Sequence, residues 1–200
     1  MFGKRAVLVA VLALGIAASA NAQQKGQFQV GVGAGLPFYA DTLNLDDNVG
    51  FGGRLGYMIS DKIGIEGDIF YYSTNPTGSS LDITQMPLNG RLTYYANMSR
   101  NFGFIFGLGA VYNSWGGDSL KSYYATTEDQ DAGPSGLIGV RFGGGKVGLR
   151  IDGTVDYILN PFNETGPAND HRWDLGMDAM LTFAFGGKPG TPKDSDKDGV

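Results

Sequence analysis

Ten charged side chains sit at alternate positions within apolar stretches: Arg54, Glu66, Asp68, Arg91, Arg141, Arg150, Asp152, Asp156, Asp174 and Asp178. Charges spaced in this way can line a conduit as a selectivity filter or gate. They can equally neutralise one another as ion pairs, because an isolated charge is too costly to remove from water. A second constellation lies at the end of the chain, where Asp194-Ser195-Asp196-Lys197-Asp198-Gly199 reads D-x-D-x-D-G. That is the opening of a calcium loop, with carboxylates at alternate positions and a glycine for the sharp turn. Asp194, Asp196 and Asp198 supply only part of the roughly six to eight oxygens calcium takes, so they form a partial calcium site. The single histidine, His171, stands between Asp170 and Arg172. A general base must lie within hydrogen-bond reach of its proton donor. No serine is near His171 in sequence, so it reads as a solvated loop residue.

Other chemistries are excluded by composition. There is no cysteine, which removes disulfides, thiol catalysis and thiolate metal sites, and one histidine cannot make a multi-histidine metal site within one chain. The 33 glycines follow no G-X-Y period, so the chain is not collagen-like. Twenty acidic residues face 15 basic ones with no basic cluster, so no nucleic-acid partner is expected. Aromatic residues at 12% are too abundant for a disordered chain. Gly31-x-Gly33-x-Gly35 opens no helix and is no dinucleotide fingerprint, and Gly143-Gly144-Gly145-Lys146 lacks the spacing of a phosphate loop.

The elements that would position the charges are strands. Residues 1–22 read as a secretory signal peptide: Lys4 and Arg5, an apolar stretch, then Ala20-Asn21-Ala22 for cleavage. Losing Lys4 and Arg5 makes the formal charge of −5 two units more negative. Beyond residue 22 the hydrophobic period is two. Between Trp173 and Phe185 the odd positions carry the large apolar side chains, and the even ones include Asp174 and Asp178. The same alternation marks 27–36, 49–59, 63–73, 84–96, 102–115, 135–142 and 147–159. Several of these eight segments exceed the ~5–6 residues of an ordinary strand and match the ~9–11 of a tilted membrane strand. Connections alternate between short turns (60–62, 97–101, 143–146) and long polar loops (37–48, 74–83, 116–133, 160–171). Such a chain closes as an antiparallel meander, with both termini on the short-turn side.

Three features turn the apolar phase outward. No lysine after the leader falls within a strand, whereas a water-facing surface is normally rich in charge. The other phase is dominated by glycine and small residues, as an eight-stranded lumen requires. Aromatics flank the apolar phase at both ends, where a membrane has its interfaces. Tyr57, Tyr94, Phe102, Phe142, Phe183 and Phe185 lie near the short turns; Tyr71, Tyr112, Tyr157 and Trp173 lie near the long loops. The ten charges then point into the lumen. Counting back from a three-residue turn at 60–62 sets Arg54 opposite Asp68. With little room for water, an ion-pair plug is the favoured reading over a filter.

A leader, eight alternating strands and a last strand ending Leu181-Thr182-Phe183-Ala184-Phe185 resemble the OmpA-type outer-membrane barrels of Gram-negative bacteria. The resemblance covers residues 27–185. It implies an all-β, eight-stranded antiparallel up-and-down transmembrane barrel over 23–186, held in outer-membrane lipid with both termini in the periplasm. The alternating terminal aromatics resemble the signal this family offers to the barrel-assembly machinery, although Gly176 stands off the usual spacing. Residues 187–200 read as a Gly/Pro linker and the start of a thrombospondin type 3-like repeat. In the family such a repeat joins the barrel to a peptidoglycan-binding domain, so the chain is expected to be a fragment of a longer protein. The implied role is structural: anchoring the envelope and tethering it to peptidoglycan through that missing domain. No catalytic residue is expected, and no cofactor apart from calcium at the tail. The alternatives are a narrow porin-like channel and, further off, a soluble lipocalin-like carrier or a lipid-modifying enzyme. The enzyme would use His171 with Ser73, Ser79, Ser114 or Ser119 from the same loop side.

Overall fold

A computed structural model describes residues 23–39, 45–78, 82–99, 101–117, 129–143, 146–159 and 171–187. Eight strands run in order: β1 (Gln27–Phe38), β2 (Gly50–Met58), β3 (Ile63–Thr74), β4 (Ile83–Asn97), β5 (Phe102–Gly116), β6 (Asp129–Phe142), β7 (Val147–Leu159) and β8 (His171–Gly186). Each pairs antiparallel with its sequence neighbour, and β1 pairs with β8 to close the barrel. Closure engages the whole of β1, from Gln27 opposite Gly186 to Phe38 opposite Leu175. No polar edge is left for lipid, which cannot satisfy one.

The short turns form because few residues separate two strongly alternating segments. At the β2–β3 turn the amides of Ile59 and Ser60 both donate to the Ile63 carbonyl, and the Ile63 amide donates to Ser60 Oγ. Met98 and Ser99 repeat the pattern onto the Phe102 carbonyl between β4 and β5. Gly143 follows β6 with φ of 87°, a left-handed conformation that glycine adopts without a Cβ clash. The described ends of the chain lie at this same short-turn end: Lys25 N donates to Asp61, and Gly26 N to the Met58 carbonyl.

Polarity is inverted relative to a water-soluble barrel. Leu108 on β5 is 76% exposed, Phe51 on β2 71%, and Leu55, Ile138 and Leu175 are also open. The charges lie within: Arg54, Glu66, Asp68 and Arg91 are each 4% exposed or less. Rings gather at both rims of the apolar band. Phe28 and Tyr57 pack 4.8 Å apart at the short-turn end, and Tyr157 and Trp173 pack 4.7 Å apart at the other.

Three expected boundaries move by two residues or more. β1 runs on to Phe38 rather than ending at residue 36, β6 begins at Asp129 rather than at residue 135, and β8 begins at His171 rather than at Trp173. Gly133 falls in the stretch 116–133 that reads as loop, yet it and Pro134 pair with β5, opposite Val111 and Ala110. A long neighbouring strand supplies the ladder that local propensity does not. The leader and the Asp-rich tail at 194–198 fall outside the described residues.

The outward apolar face sets an asymmetric mutational cost. Leu108→Arg, near the middle of β5, is expected to lose about 2–4 kcal/mol on refolding into liposomes, the range for a cation at the bilayer midplane. Met98→Arg, 69% exposed in a short turn, is expected to lose less than about 0.5 kcal/mol. Urea titration of both variants checks this, and equal losses would contradict the orientation.

Candidate functional site

The lumen is built by alternation on every strand, so its chemistry follows from which inward positions are large. Gly31, Gly33 and Gly35 on β1 and Gly50, Gly52 and Gly56 on β2 form a nearly bare wall. The wall makes room for rings opposite. A methyl group on Gly52 would stand 2.5 Å from a ring carbon of Phe70, and one on Gly35 would stand 2.5 Å from the Tyr72 hydroxyl. Phe70 and Tyr72 stack at 5.7 Å and fill part of the space.

The central charges converge from five strands, β2, β3, β4, β7 and β8. Arg54 on β2 does oppose Asp68 on β3, at a distance of 3.6 Å. Its tighter partner is across the lumen: Arg54 Nη1 donates to Asp152 Oδ2 of β7 at 2.5 Å. Asp68 in turn accepts from Arg91 Nη1 at 2.7 Å and from Asn89 Nδ2 at 2.9 Å. Arg150 donates to Glu66 Oε1 at 2.8 Å and to Asp152 Oδ2 at 2.7 Å. The Tyr95 hydroxyl also donates to Glu66. Arg91 Nε donates to Ser135 Oγ at 2.9 Å, and Ser135 passes a hydrogen bond to Asp156 Oδ1 at 2.5 Å. Asp178 lies 3.5 Å from Arg54, and Asp156 lies 3.8 Å from Arg91.

Nine of the ten charges expected in the lumen are joined: eight in one cluster around Arg54, Arg91 and Arg150, and Asp174 with Arg172 in a second. Arg141 departs from that expectation. It is buried, but it makes no ion pair among the described residues, and its Nε and Nη2 have no hydrogen-bond partner. Its cross-strand neighbours are Gly103 and Arg150, so register gives it a like charge instead of a carboxylate.

A second cluster nearer the long connections was not anticipated. Arg172 on β8 donates to Asp174 Oδ1 at 2.7 Å and to Asp131 Oδ2 on β6 at 3.1 Å. Asp131 also accepts from Asn113 Nδ2 at 2.6 Å and from the Trp115 indole at 3.0 Å. The Arg172 guanidinium lies over the Trp115 ring at 5.7 Å. Asp131 had been placed in a loop, and Arg172 just ahead of the last expected strand. The signal for them was present: each continues the inward phase of its strand by steps of two. His171 opens β8 with an exposed side chain stacked at 5.2 Å on Tyr157. Ser79 and Ser119 lie outside the described residues.

A closed barrel with an apolar outer band, ring-lined rims and a charged lumen is a membrane-spanning barrel. The chain belongs to the outer membrane protein beta-barrel domain family, whose model matches residues 6–179, and its place is the outer membrane. Among solved structures, the outer membrane protein OprG from Pseudomonas aeruginosa superimposes with a TM-score of 0.57 at 16% identity, covering 84% of this chain and 99% of that one. Neisserial surface protein A gives 0.55 at 16% identity over 80% and 96% of the two chains. The outer membrane protein AlkL, determined in DMPC bilayers, gives 0.52 at 10% identity over 87% and 97%. At these identities the likeness is one of fold. No curated protein sequence matches the chain.

The distances rank the couplings. Asp152→Ala leaves Arg54 and Arg150 without their shortest carboxylate contact, and is expected to cost about 3–5 kcal/mol, the range for orphaning a buried charge. The Arg54→Ala/Asp152→Ala double variant is expected to cost less than the sum of its singles, with a coupling above about 1 kcal/mol. The Arg54–Asp68 cycle is expected to couple more weakly, because each residue keeps a closer partner. Refolding cycles on the three pairs Arg54–Asp152, Arg91–Asp68 and Arg54–Asp68 test that order.

Proposed function

We propose that this barrel is a structural component of the outer membrane, whose lumen is plugged rather than open. The observation that supports this is the bridge of Arg54 from β2 to Asp152 on β7, with neither side chain more than 4% exposed. Arg91 and Arg150 extend the bridge to β3 and β4, so charged side chains span the lumen. Apolar side chains fill the space beside them. Met58, Tyr95, Ile105 and Leu137 pack together at one level, and Phe70, Tyr72 and Met180 at another. An ion crossing such a lumen must break several buried pairs, each costing several kcal/mol to orphan.

On this reading the short-turn end faces the periplasm and the long connections face outward, as short and long connections divide in bacterial barrels. The barrel then serves as the membrane anchor of a peptidoglycan-binding domain. The competing reading, a narrow channel, needs a continuous polar path that the central pairs occupy.

Planar-bilayer recording distinguishes the two. The full chain is expected to give no large, steady conductance. Arg54→Ala/Asp152→Ala is expected to raise conductance by opening the bridge. A large, steady conductance from the unmodified chain would overturn the structural reading in favour of the channel.

A further inference from the structure

Above the central bridge, at the long-connection end, the lumen holds a cavity of about 40 Å³. Four carboxylates line it, Asp68, Asp156, Asp174 and Asp178, and no arginine or lysine does. Acidity alone assigns nothing, because Arg91 and Arg172 neutralise much of it from behind. The informative atoms are those whose hydrogen-bonding capacity is unused. Asp178 Oδ1 and Gln85 Oε1 are buried in residues that are each 5% exposed, and neither has a partner. Both can only accept. The Tyr39 hydroxyl, which can accept or donate, is the third such atom on the lining.

A buried acceptor left unmade costs about 1–3 kcal/mol, and more when charged. The cavity therefore calls for a donor. Among the described residues no group of carboxylates is close enough to hold a metal ion. A bare divalent cation, which takes its oxygens at short range, does not suit the spacing. The space holds about three waters by volume, or a head group of about four heavy atoms. Phe70 and Tyr72 form part of the wall, and aromatic faces attract a cation laid against them.

We propose that this vestibule binds a small organic cation through an N–H-rich head group, an alkylguanidinium or primary alkylammonium. Its hydrogens would go to Asp178 Oδ1 and Gln85 Oε1, and its face or stem to Phe70 and Tyr72. A planar guanidinium suits two acceptors best, because its donors form a fixed fork. The site stands above the central bridge and does not depend on whether the lumen conducts.

Methylguanidinium is the probe. The full chain, refolded in phospholipid nanodiscs with labelled glutamine side chains and labelled backbone amides, is titrated at constant ionic strength and followed by NMR, the backbone amides reporting affinity where Gln85 is replaced. The Gln85 side-chain amide is expected to shift and saturate. Tetramethylammonium, which has the charge but no N–H, is expected to bind about tenfold more weakly. Asp178→Asn is expected to lose about tenfold, the scale of one charge-assisted hydrogen bond. Gln85→Leu, which removes no charge and leaves the ion pairs intact, is expected to lose about fivefold and carries the test if Asp178→Asn does not fold. A linear, unsaturable response would overturn the proposal. So would equal binding of tetramethylammonium, or unchanged affinity in Gln85→Leu.

Discussion

Backbone amides and carbonyls in hydrocarbon have no water to bond, and everything else in this molecule follows from that constraint. The chain meets it by pairing every strand twice, with β1 engaged along its full length by β8. Eight strands close a circle whose interior is only wide enough for side chains. Lipid outside demands apolar residues on one phase, and the narrow lumen demands that the other phase fit together. The wall of glycines on β1 and β2 and the rings of Phe70 and Tyr72 are two halves of one packing solution. Each glycine removes a side chain where a ring must enter.

The same closure explains why charge is tolerated inside. Arginine has a long apolar stem and a planar head with several donors, so it can cross a lumen and satisfy more than one carboxylate. Arg54 touches acids of three other strands, Asp68 on β3, Asp152 on β7 and Asp178 on β8. Arg150 joins β7 to β3 through Glu66. Lysine, a point charge with a strongly hydrated head, would serve less well. Those lysines that are described, Lys25, Lys62 and Lys146, all stand in turns outside the strands.

Much of this was legible from the sequence, because period two is a strong signal wherever one face must be apolar. The strand count, the outward phase and the Arg54–Asp68 register all come from alternation plus one short turn. Partners across the lumen do not. Arg54 and Asp152 are 98 positions apart, and no hairpin arithmetic connects them. Their meeting depends on strand tilt and on how far a side chain reaches. Asp131 and Arg172 were lost for a different reason. Asp131 lies within the stretch 116–133 that reads as loop, and Arg172 follows directly on the one that ends at residue 171. Strand continuation there is imposed by a long neighbour. Arg141 shows the opposite error: alternation put it inside correctly, but being inside does not supply a partner.

The acids of β7 and β8 show how far local pairing falls short of explaining this lumen. Asp152 stands directly opposite Asp178, and Asp156 opposite Asp174. Like charges opposite one another disfavour a strand pair. Sliding β8 by two residues would keep both apolar faces outward. It would also set Asp178 against Arg150 and Asp156 against Arg172. Judged as an isolated hairpin, the slipped register has the better charge pairs. The observed register becomes favourable only when β2 and β4 are in place. Arg54 then reaches both Asp152 and Asp178, and Arg91 reaches toward Asp156. Register at the β7–β8 seam is therefore a property of the closed barrel and not of the hairpin. The buried ion pairs, whatever their net contribution to stability, favour one closed arrangement over a neighbour that the hydrophobic pattern alone would allow.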